Sequence, residues 1–205
     1  MQPHPADFQS IHGIYRPRVL RYLKRLVGER DAEDLTQLVM VKVSDGLAHF
    51  RGGSQLSTWI YRIATNTALD RLRSPHFQAE VRSHAIGAPD SAAANHSEEE
   101  LDRLAQEQSP STEATVIRRE MNACIREFVD RLADPYRAVI VLSEIEGFKN
   151  GEIAEILGVS VNAVKIRLHR AREKLKQSLA DGCHFGRDER NEFACDRKPP
   201  PAATS

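Results

Sequence analysis

The stretch from Gly147 to Gln177, GFKNGEIAEILGVSVNAVKIRLHRAREKLKQ, decides the fold of the C-terminal part of the chain. Its first half predicts a short helix that Asn150 caps and that Gly158, a residue suited to the left-handed conformation, brings to an end. The apolar stripe of that helix recurs at helical spacing: Ile153, Ala154, Ile156 and Leu157.

The second half predicts another helix, which begins after a cap at Ser160. Its inward stripe is Val161, Val164, Leu168, Ala171 and Leu175, and its basic side chains are Lys165, Arg167, Arg170, Arg172, Lys174 and Lys176. A basic helical face is usually only solvated. The Gly-Val-Ser turn between two matched apolar stripes instead favours a helix-turn-helix, whose second helix enters a DNA major groove.

Length and composition limit the number of domains and the classes of protein that this chain can form. The 205 residues suffice for one large or two small domains, and 29 basic side chains balance 29 acidic ones. No segment reaches the length of a membrane span, and the first ten residues lack the pattern of a signal peptide, so we expect a cytoplasmic protein without membrane insertion. Three cysteines, an odd number, argue against a disulfide framework.

Two helices are predicted at the start of the chain. The first runs from about Ala6 to Val27, and Pro17 should bend or break it. The second runs from about Asp31 to Leu47, and the apolar Met40 and Val41 give it a wider apolar surface than one buried face needs. That surplus fits either a protein partner or a helix buried on two sides.

A third helix follows, which Ser57 should cap. Trp59 and Tyr61 lie near its start, among arginines that project from other faces. Aromatic rings and guanidinium groups together suit single-stranded nucleic acid, because bases stack on rings while arginines hold phosphates. A tryptophan on a helix is nevertheless more often part of the core.

Periodicity disappears from Ser74 to Ser111, where acidic and small residues predict a flexible linker. Order resumes near Thr112 with a long amphipathic helix in which Cys124 looks like a small core residue. Asp134 and Pro135 then predict a cap and a first-turn proline, which start the helix before the helix-turn-helix. The expected fold is all-α, with an N-terminal helical bundle, a flexible linker and a C-terminal four-helix domain.

Three stretches together resemble a known family. DAEDLTQLVMVKV (31–43), STWIYRIATNTALDRLR (57–73) and EIAEILGVSVNAVKIRLHRAREKL (152–175) are similar, in this order, to motifs of bacterial sigma-70 factors. With only a linker between them, the chain resembles the extracytoplasmic function (ECF) group. The resemblance implies a region 2 domain (1–78), an acidic linker (79–112), a region 4 domain (113–178) and a cysteine-containing tail (179–205).

The resemblance also implies a function: a sigma factor that binds core RNA polymerase and directs promoter-specific initiation. Residues at polymerase-binding positions are Asp34, Leu35, Gln37, Leu38 and Val41. Residues at −10 DNA-binding positions are Arg62, Asn66, Asp70, Arg71 and Arg73, followed by the loop from Ser74 to Phe77. Residues at −35 DNA-binding positions are Ser160, Asn162, Lys165, Ile166, Arg167, His169 and Arg170.

The chain departs from the family pattern at a few positions. Met40 stands where an aromatic residue is usual, which puts the detail of the polymerase contact in doubt. Ile166 occupies a position that is often small and polar, which puts the −35 sequence in doubt. Asn150 and Gly151 also depart from the usual pair.

The tail contains Cys183, His184 and Cys195. Three interpretations stay open: no site, a reversible dithiol switch, or a zinc site that His169 or Asp196 completes. No other cofactor is expected.

Other function classes fit less well. A stand-alone DNA-binding regulator would not need the polymerase-binding motif, and an enzyme would need clustered carboxylates or metal ligands. Glu33 and Asp34 instead lie at a helix start, where acids are favoured. An anti-sigma protein is a further expected partner, compatible with the sigma-factor interpretation.

Overall fold

The computed structural model describes residues 8–75, 77–79, 124–187 and 193–198. The linker expected between the two domains therefore lies almost wholly outside the described residues, as does the terminal PPPAATS. The long helix predicted from Thr112 is described only from residue 124 onward.

Three helices form the N-terminal part: α1 (Phe8–Val27), α2 (Glu29–Leu47) and α3 (Leu56–Arg73). Their apolar faces pack together around Val19, Val39 and Ile60, none of which is exposed. The buried hydroxyls of Tyr22 and Thr65 are hydrogen-bonded at 2.7 Å. Thr65 donates its own proton to the Tyr61 carbonyl, so Tyr22 is the donor in this pair.

Two local predictions for these helices differ from the structure. Of the bend or break predicted at Pro17, the break is wrong, because α1 continues through this residue. The carbonyl that the proline ring would clash with belongs to Gly13, which carries no side chain and therefore has a backbone that adjusts more freely than that of other residues. The N-cap of α3 is Gln55, with no side-chain capping bond, and Ser57 lies inside the helix.

The C-terminal part begins with helical residues 124–130, named α4 here. It continues with α5 (Asp134–Ile140), a π-helical turn (Val141–Ile145), α6 (Asn150–Leu157) and α7 (Val161–Gly182). Gly158 adopts the predicted left-handed conformation with φ of 63°, and Ser160 Oγ accepts a hydrogen bond from the Ala163 amide.

Two predicted caps shift by one residue. Asp134 is the first residue of α5, which Ala133 caps. Asn150 is likewise the first residue of α6, with Lys149 as its N-cap. The carboxylate of Glu152 accepts from the Lys149 amide at 2.8 Å and so satisfies one of the amides at the start of the helix.

The two helical parts confirm the expected all-α fold class, and a short antiparallel hairpin follows α7 in the tail. Strand β1 (Cys183–Arg187) pairs with β2 (Phe193–Arg197), with Cys183 opposite Arg197 and His184 opposite Asp196. The Lys198 amide donates to the Gly182 carbonyl at 2.9 Å, which ties the end of the hairpin to the end of α7.

The two helical parts pack against each other. The Tyr61 hydroxyl on α3 donates to the Glu146 carboxylate, and the Tyr61 ring meets Phe148 edge-on at 4.8 Å between centroids. Arg137 donates to the Leu26 carbonyl at 3.1 Å. Burial raises the pKa of Tyr61, and the charge of Glu146 raises it further, so this hydroxyl keeps its proton and remains a donor.

Candidate nucleic-acid interface

An apolar strip on α2 is exposed. Leu38 and Val41 are 45% and 56% accessible, although both lie on a helix whose opposite side is fully buried. Asp34 and Gln37 are also exposed, whereas Leu35 belongs to the core at 8%. Four of the five predicted polymerase-binding residues can therefore reach a partner, and Leu35 supports the helix from within. Met40, the other surplus apolar residue, is buried.

One face of α3 carries most of the polar residues predicted at the −10 positions. Arg62, Asn66, Asp70 and Arg73 are exposed and follow each other at steps of four, four and three residues. At 3.6 residues per turn, these steps place all four side chains on one side of the helix. This face offers two cations, an amide and a carboxylate to a ligand.

Arg71 differs from the other predicted −10 residues. Its guanidinium donates to the Asp31 carboxylate of α2 at 2.9 Å and lies 5.1 Å from the ring centre of Phe77. Both partners of the ion pair are mostly buried. Arg71 therefore connects α3 to α2 and to the segment after α3.

Trp59 packs within the protein. Its ring lies 5.1 Å from that of Phe50 between centroids, and it approaches Gly46 so closely that a Cβ atom there would be 2.8 Å away. These contacts indicate that Trp59 packs as part of the protein core, as a tryptophan on a helix more often does, and not as a platform for bases.

The basic face of α7 is open. Asn162, Lys165, Ile166, His169 and Arg170 are exposed and lie on one side of the helix, opposite the buried Val164, Leu168 and Ala171. Arg167 is half-buried at the edge of this face, and Ser160 lies at the helix start. The Ser160 oxygen accepts the Ala163 amide, which leaves its hydroxyl proton free to donate to a phosphate.

Arg172 is a residue whose role the sequence did not indicate. It donates to Glu144 at 2.6 Å and thereby joins the middle of α7 to the π-helical turn. The hydrogen bond from Arg172 lowers the pKa of the Glu144 carboxyl, which stays ionised.

The three cysteines lie together. The Sγ atoms of Cys124, Cys183 and Cys195 are all within 4.8 Å of one another, and those of Cys124 and Cys183 are 3.8 Å apart. Burial raises the pKa of Cys124 and of Cys183. The prediction that Cys124 is an ordinary core residue is wrong, because it is only half-buried and faces two other thiols.

His184 does not join this cluster. Its side chain is exposed, and neighbouring residues of a strand point to opposite faces, so His184 points away from the side that Cys183 takes. His169 lies on the exposed face of α7 and is also not among the clustered ligands found in the described residues. The predicted Cys-His-Cys combination is therefore replaced by three thiols.

A cavity lies between the two helical parts beside the −10 face. Arg62 and Trp59 line it from α3, and Glu155 lines it from α6. One end of the −10 face is therefore next to an acidic residue of the helix-turn-helix. Among the described residues, no helix has the length and apolar character needed to cross a bilayer.

Two family models match the chain. Residues 12–76 match "Sigma-70 region 2" and residues 122–175 match "Sigma-70, region 4". The first match spans α1 to α3, and the second spans α4 to most of α7.

Curated relatives agree with these matches. The chain is 32% identical over 175 residues to the ECF RNA polymerase sigma factor SigW of Bacillus subtilis, which covers 85% of this chain and 89% of that protein. It is also 32% identical to the RNA polymerase sigma-H factor of Pseudomonas aeruginosa, covering 80% of this chain and 82% of that protein.

Solved structures share the fold. The sigma factor RpoE in complex with the anti-sigma factor NepR from Bartonella quintana is 23% identical, with a TM-score of 0.61, over 85% of this chain and 97% of that one. CnrH in complex with the cytosolic domain of CnrY is 24% identical, with a TM-score of 0.55, over 85% of this chain and 88% of that one.

Proposed function

The chain belongs to the ECF group of the sigma-70 family. We propose which of its exposed surfaces binds core RNA polymerase and which bind promoter DNA. It is a sigma factor that binds core RNA polymerase and directs promoter-specific initiation. Its N-terminal helices read the −10 element, and its helix-turn-helix reads the −35 element. The proposed domains are region 2 (1–78), linker (79–112), region 4 (113–178) and tail (179–205).

The polymerase-binding surface is the exposed strip of α2. Leu38 and Val41 supply the apolar contact, and Asp34 and Gln37 supply polar contacts beside it. Exposed apolar side chains next to each other on one helix favour a protein partner over solvent. Leu35 contributes by holding the strip in position from the core.

The −10 surface is the face of α3 that carries Arg62, Asn66, Asp70 and Arg73. Reading an opened −10 element needs an unstacked base to be held, and amide and guanidinium groups hydrogen-bond base edges and phosphates. Arg71 acts mainly through Asp31 and Phe77, which fix the end of α3.

The −35 surface is the exposed face of α7. Lys165 and Arg170 are placed to donate to guanine edges, and Ile166 is placed to contact a thymine methyl. Asn162 and His169 lie on the same face. Ser160 and Arg167 flank it and suit phosphates, which fix the register of a helix in the groove.

The proposed function also covers catalysis and a further protein partner. The protein contributes no catalytic residues of its own, because promoter recognition and base capture need no covalent chemistry. We also infer that an anti-sigma protein binds it. The exposed apolar strip of α2 supports this, since an inhibitor that covers Leu38 and Val41 blocks the polymerase.

The observation that carries the proposal is that most residues of the three predicted sets lie on three exposed faces, on α2, α3 and α7, with Leu35 and Arg71 as the inward exceptions. The test is run-off transcription with core RNA polymerase on a pooled promoter library, with and without the protein. The expected result is new transcripts that share two sequence blocks upstream of their starts. Duplex DNA binding by the protein without any polymerase-dependent transcript would instead identify a stand-alone regulator.

The α2 surface has its own test. We expect Val41→Asp to weaken binding to core RNA polymerase at least tenfold, about 1.4 kcal/mol, because it places a charge in an apolar contact. The matched control is Ile14→Asp on α1, where an isoleucine of similar exposure, 54%, is replaced by the same acid. Affinity is measured by fluorescence anisotropy with labelled protein. Equal losses of affinity in both variants would show that the exposed face of α2 is not the specific polymerase-binding surface.

A further inference from the structure

The thiol cluster is built from three separate parts of the C-terminal region. Cys124 is the first described residue of α4, Cys183 directly follows α7, and Cys195 lies in β2. In sequence, Cys124 and Cys183 are 59 positions apart, yet their Sγ atoms are separated by only 3.8 Å. Only the packing of the hairpin against α4 brings them together.

Contacts around the cluster hold these parts in place. Arg197, the last residue of β2, donates to Glu127 of α4 at 2.7 Å. The Phe128 ring of α4 packs against Gly182 so closely that an added Cβ atom would lie 2.5 Å from it. Lys198 donates from its amide to the Gly182 carbonyl and from Nζ to the Ala180 carbonyl. These contacts connect the hairpin to α4 through Arg197 and to α7 through Lys198.

The sulfur separations match metal coordination. A metal–sulfur bond of about 2.3 Å gives sulfur–sulfur distances of about 3.8 Å in a tetrahedral site and about 4.0 Å in a trigonal one. The observed 3.8 Å between the Cys124 and Cys183 sulfurs agrees with these values, and the other two separations, which are at most 4.8 Å, need to shorten by no more than about 1 Å to reach them. A disulfide requires about 2.05 Å and would leave one of the three thiols without a partner.

We propose that Cys124, Cys183 and Cys195 form a three-thiolate site for a soft metal ion, with an open position for a fourth, exogenous ligand. Thiolates select ions such as Zn²⁺ and Cu⁺ over harder cations. When the ion binds, each coordinating thiol releases its proton to the solvent. The ion then links α4 to the hairpin, which ties the tail to the helix-turn-helix domain.

The test uses the full-length protein, stripped of metal with a chelator and kept reduced with a phosphine under anaerobic conditions. Co²⁺ is added as a spectroscopic probe and is then displaced with Zn²⁺. We expect one equivalent to bind, with a near-ultraviolet charge-transfer band that reports Co²⁺–thiolate bonds, and we expect Zn²⁺ to raise the Tm.

Single variants test whether the three clustered cysteines bind the metal, or whether the Cys-His pair that is adjacent in sequence does. Cys124→Ser and Cys195→Ser should each lower metal affinity at least tenfold and remove the Zn²⁺-dependent shift in Tm. His184→Ala is the matched control, since this exposed histidine is next to Cys183 in sequence but outside the cluster, and it should bind metal like the parent. Because Cys183 is buried, its variant is used only if circular dichroism shows a folded protein.

Several outcomes would overturn the proposal. One is a reduced protein that binds no Co²⁺ or Zn²⁺. Another is a Cys124→Ser variant that binds metal with unchanged affinity, or a His184→Ala variant that loses it. A disulfide on mild oxidation, without metal binding in the reduced protein, would assign the cluster to thiol oxidation instead.

Discussion

At the residue scale, Arg71 and Arg73 are two positions apart on α3 but have different surroundings. Arg71 is paired with Asp31 and covers Phe77, whereas Arg73 is exposed. The resemblance to sigma-70 factors assigns both to DNA-binding positions. The structure gives the first of them a stabilising role as well.

The two arginines therefore predict different mutant behaviour. Arg71→Ala should lower the free energy of unfolding by roughly 1.5–3 kcal/mol, because it removes a charged hydrogen bond and leaves Asp31 without its partner. Arg73→Ala, the matched control, should leave stability within about 0.5 kcal/mol and reduce transcription instead. Urea unfolding followed by circular dichroism measures the first effect. If Arg71→Ala were as stable as Arg73→Ala, the ion pair would contribute nothing.

Lys165 and Arg170 lie on the open face of α7, and Lys176 lies further along the same helix. We expect Lys165→Ala or Arg170→Ala to cost about 1–3 kcal/mol of discrimination at particular −35 bases. Lys176→Ala should weaken transcription little and equally on all promoters. Run-off assays on promoters substituted base by base in the −35 element make this comparison. An equal loss of transcription on all promoters in all three variants would indicate that these side chains only attract DNA phosphates and do not read bases.

At the element scale, the end of α7 depends on a close approach to α4. A Cβ atom at Gly182 would lie 2.5 Å and 2.8 Å from two carbons of the buried Phe128 ring. Gly151, at the start of α6, has nothing within 4 Å of such an atom. Both glycines are helical and neither has a positive φ, so the difference between them is steric.

This difference predicts opposite effects of the same substitution. Gly182→Ala should destabilise the protein by about 1–3 kcal/mol through overpacking, and Gly151→Ala should stabilise it by about 0.4–1 kcal/mol by restricting the unfolded chain. Thermal unfolding of both variants measures the two signs. A Gly182→Ala variant as stable as the parent would mean that the end of α7 and α4 do not pack as described.

At the scale of the whole molecule, the two helical parts pack side by side, and the proposed reading of two promoter elements requires them to lie further apart. The −10 and −35 elements lie roughly 85 Å apart along B-DNA at about 3.4 Å per base pair. The α3 helix, against which α6 packs, is only about 27 Å long at about 1.5 Å per residue. The contacts between the two parts must therefore open before both elements are bound.

Glu146 and Phe148 are the residues whose removal should favour opening. The double variant Glu146→Ala/Phe148→Ala loses the acceptor of the Tyr61 hydroxyl and the ring that Tyr61 meets, together about 2 kcal/mol or more. We expect a larger radius of gyration by small-angle scattering and several-fold tighter binding to promoter DNA. Glu146→Gln keeps an acceptor and should behave like the parent. Identical scattering from all three proteins would show that these contacts do not hold the parts together.

The sequence by itself determined where the helices lie and which face of each is polar. Hydrophobic periodicity, a glycine at the end of α6 and a serine at the start of α7 act within a few residues, so the helix-turn-helix and the exposed α3 face followed from the chain alone. The continuity of α1 through Pro17 did not, because a proline by itself predicts a bend or a break, and whether the helix continues depends on how the backbone around the proline adjusts.

Only the tertiary structure decided which side chains meet across long stretches of chain. It placed Leu35 in the core and Arg71 on Asp31, 40 residues away, and it gathered three cysteines around a hairpin that no periodic pattern predicted. The physical reason is that local patterns fix the direction in which a side chain points from its own helix. The partner it meets there is fixed by how helices and strands pack, which no local pattern contains.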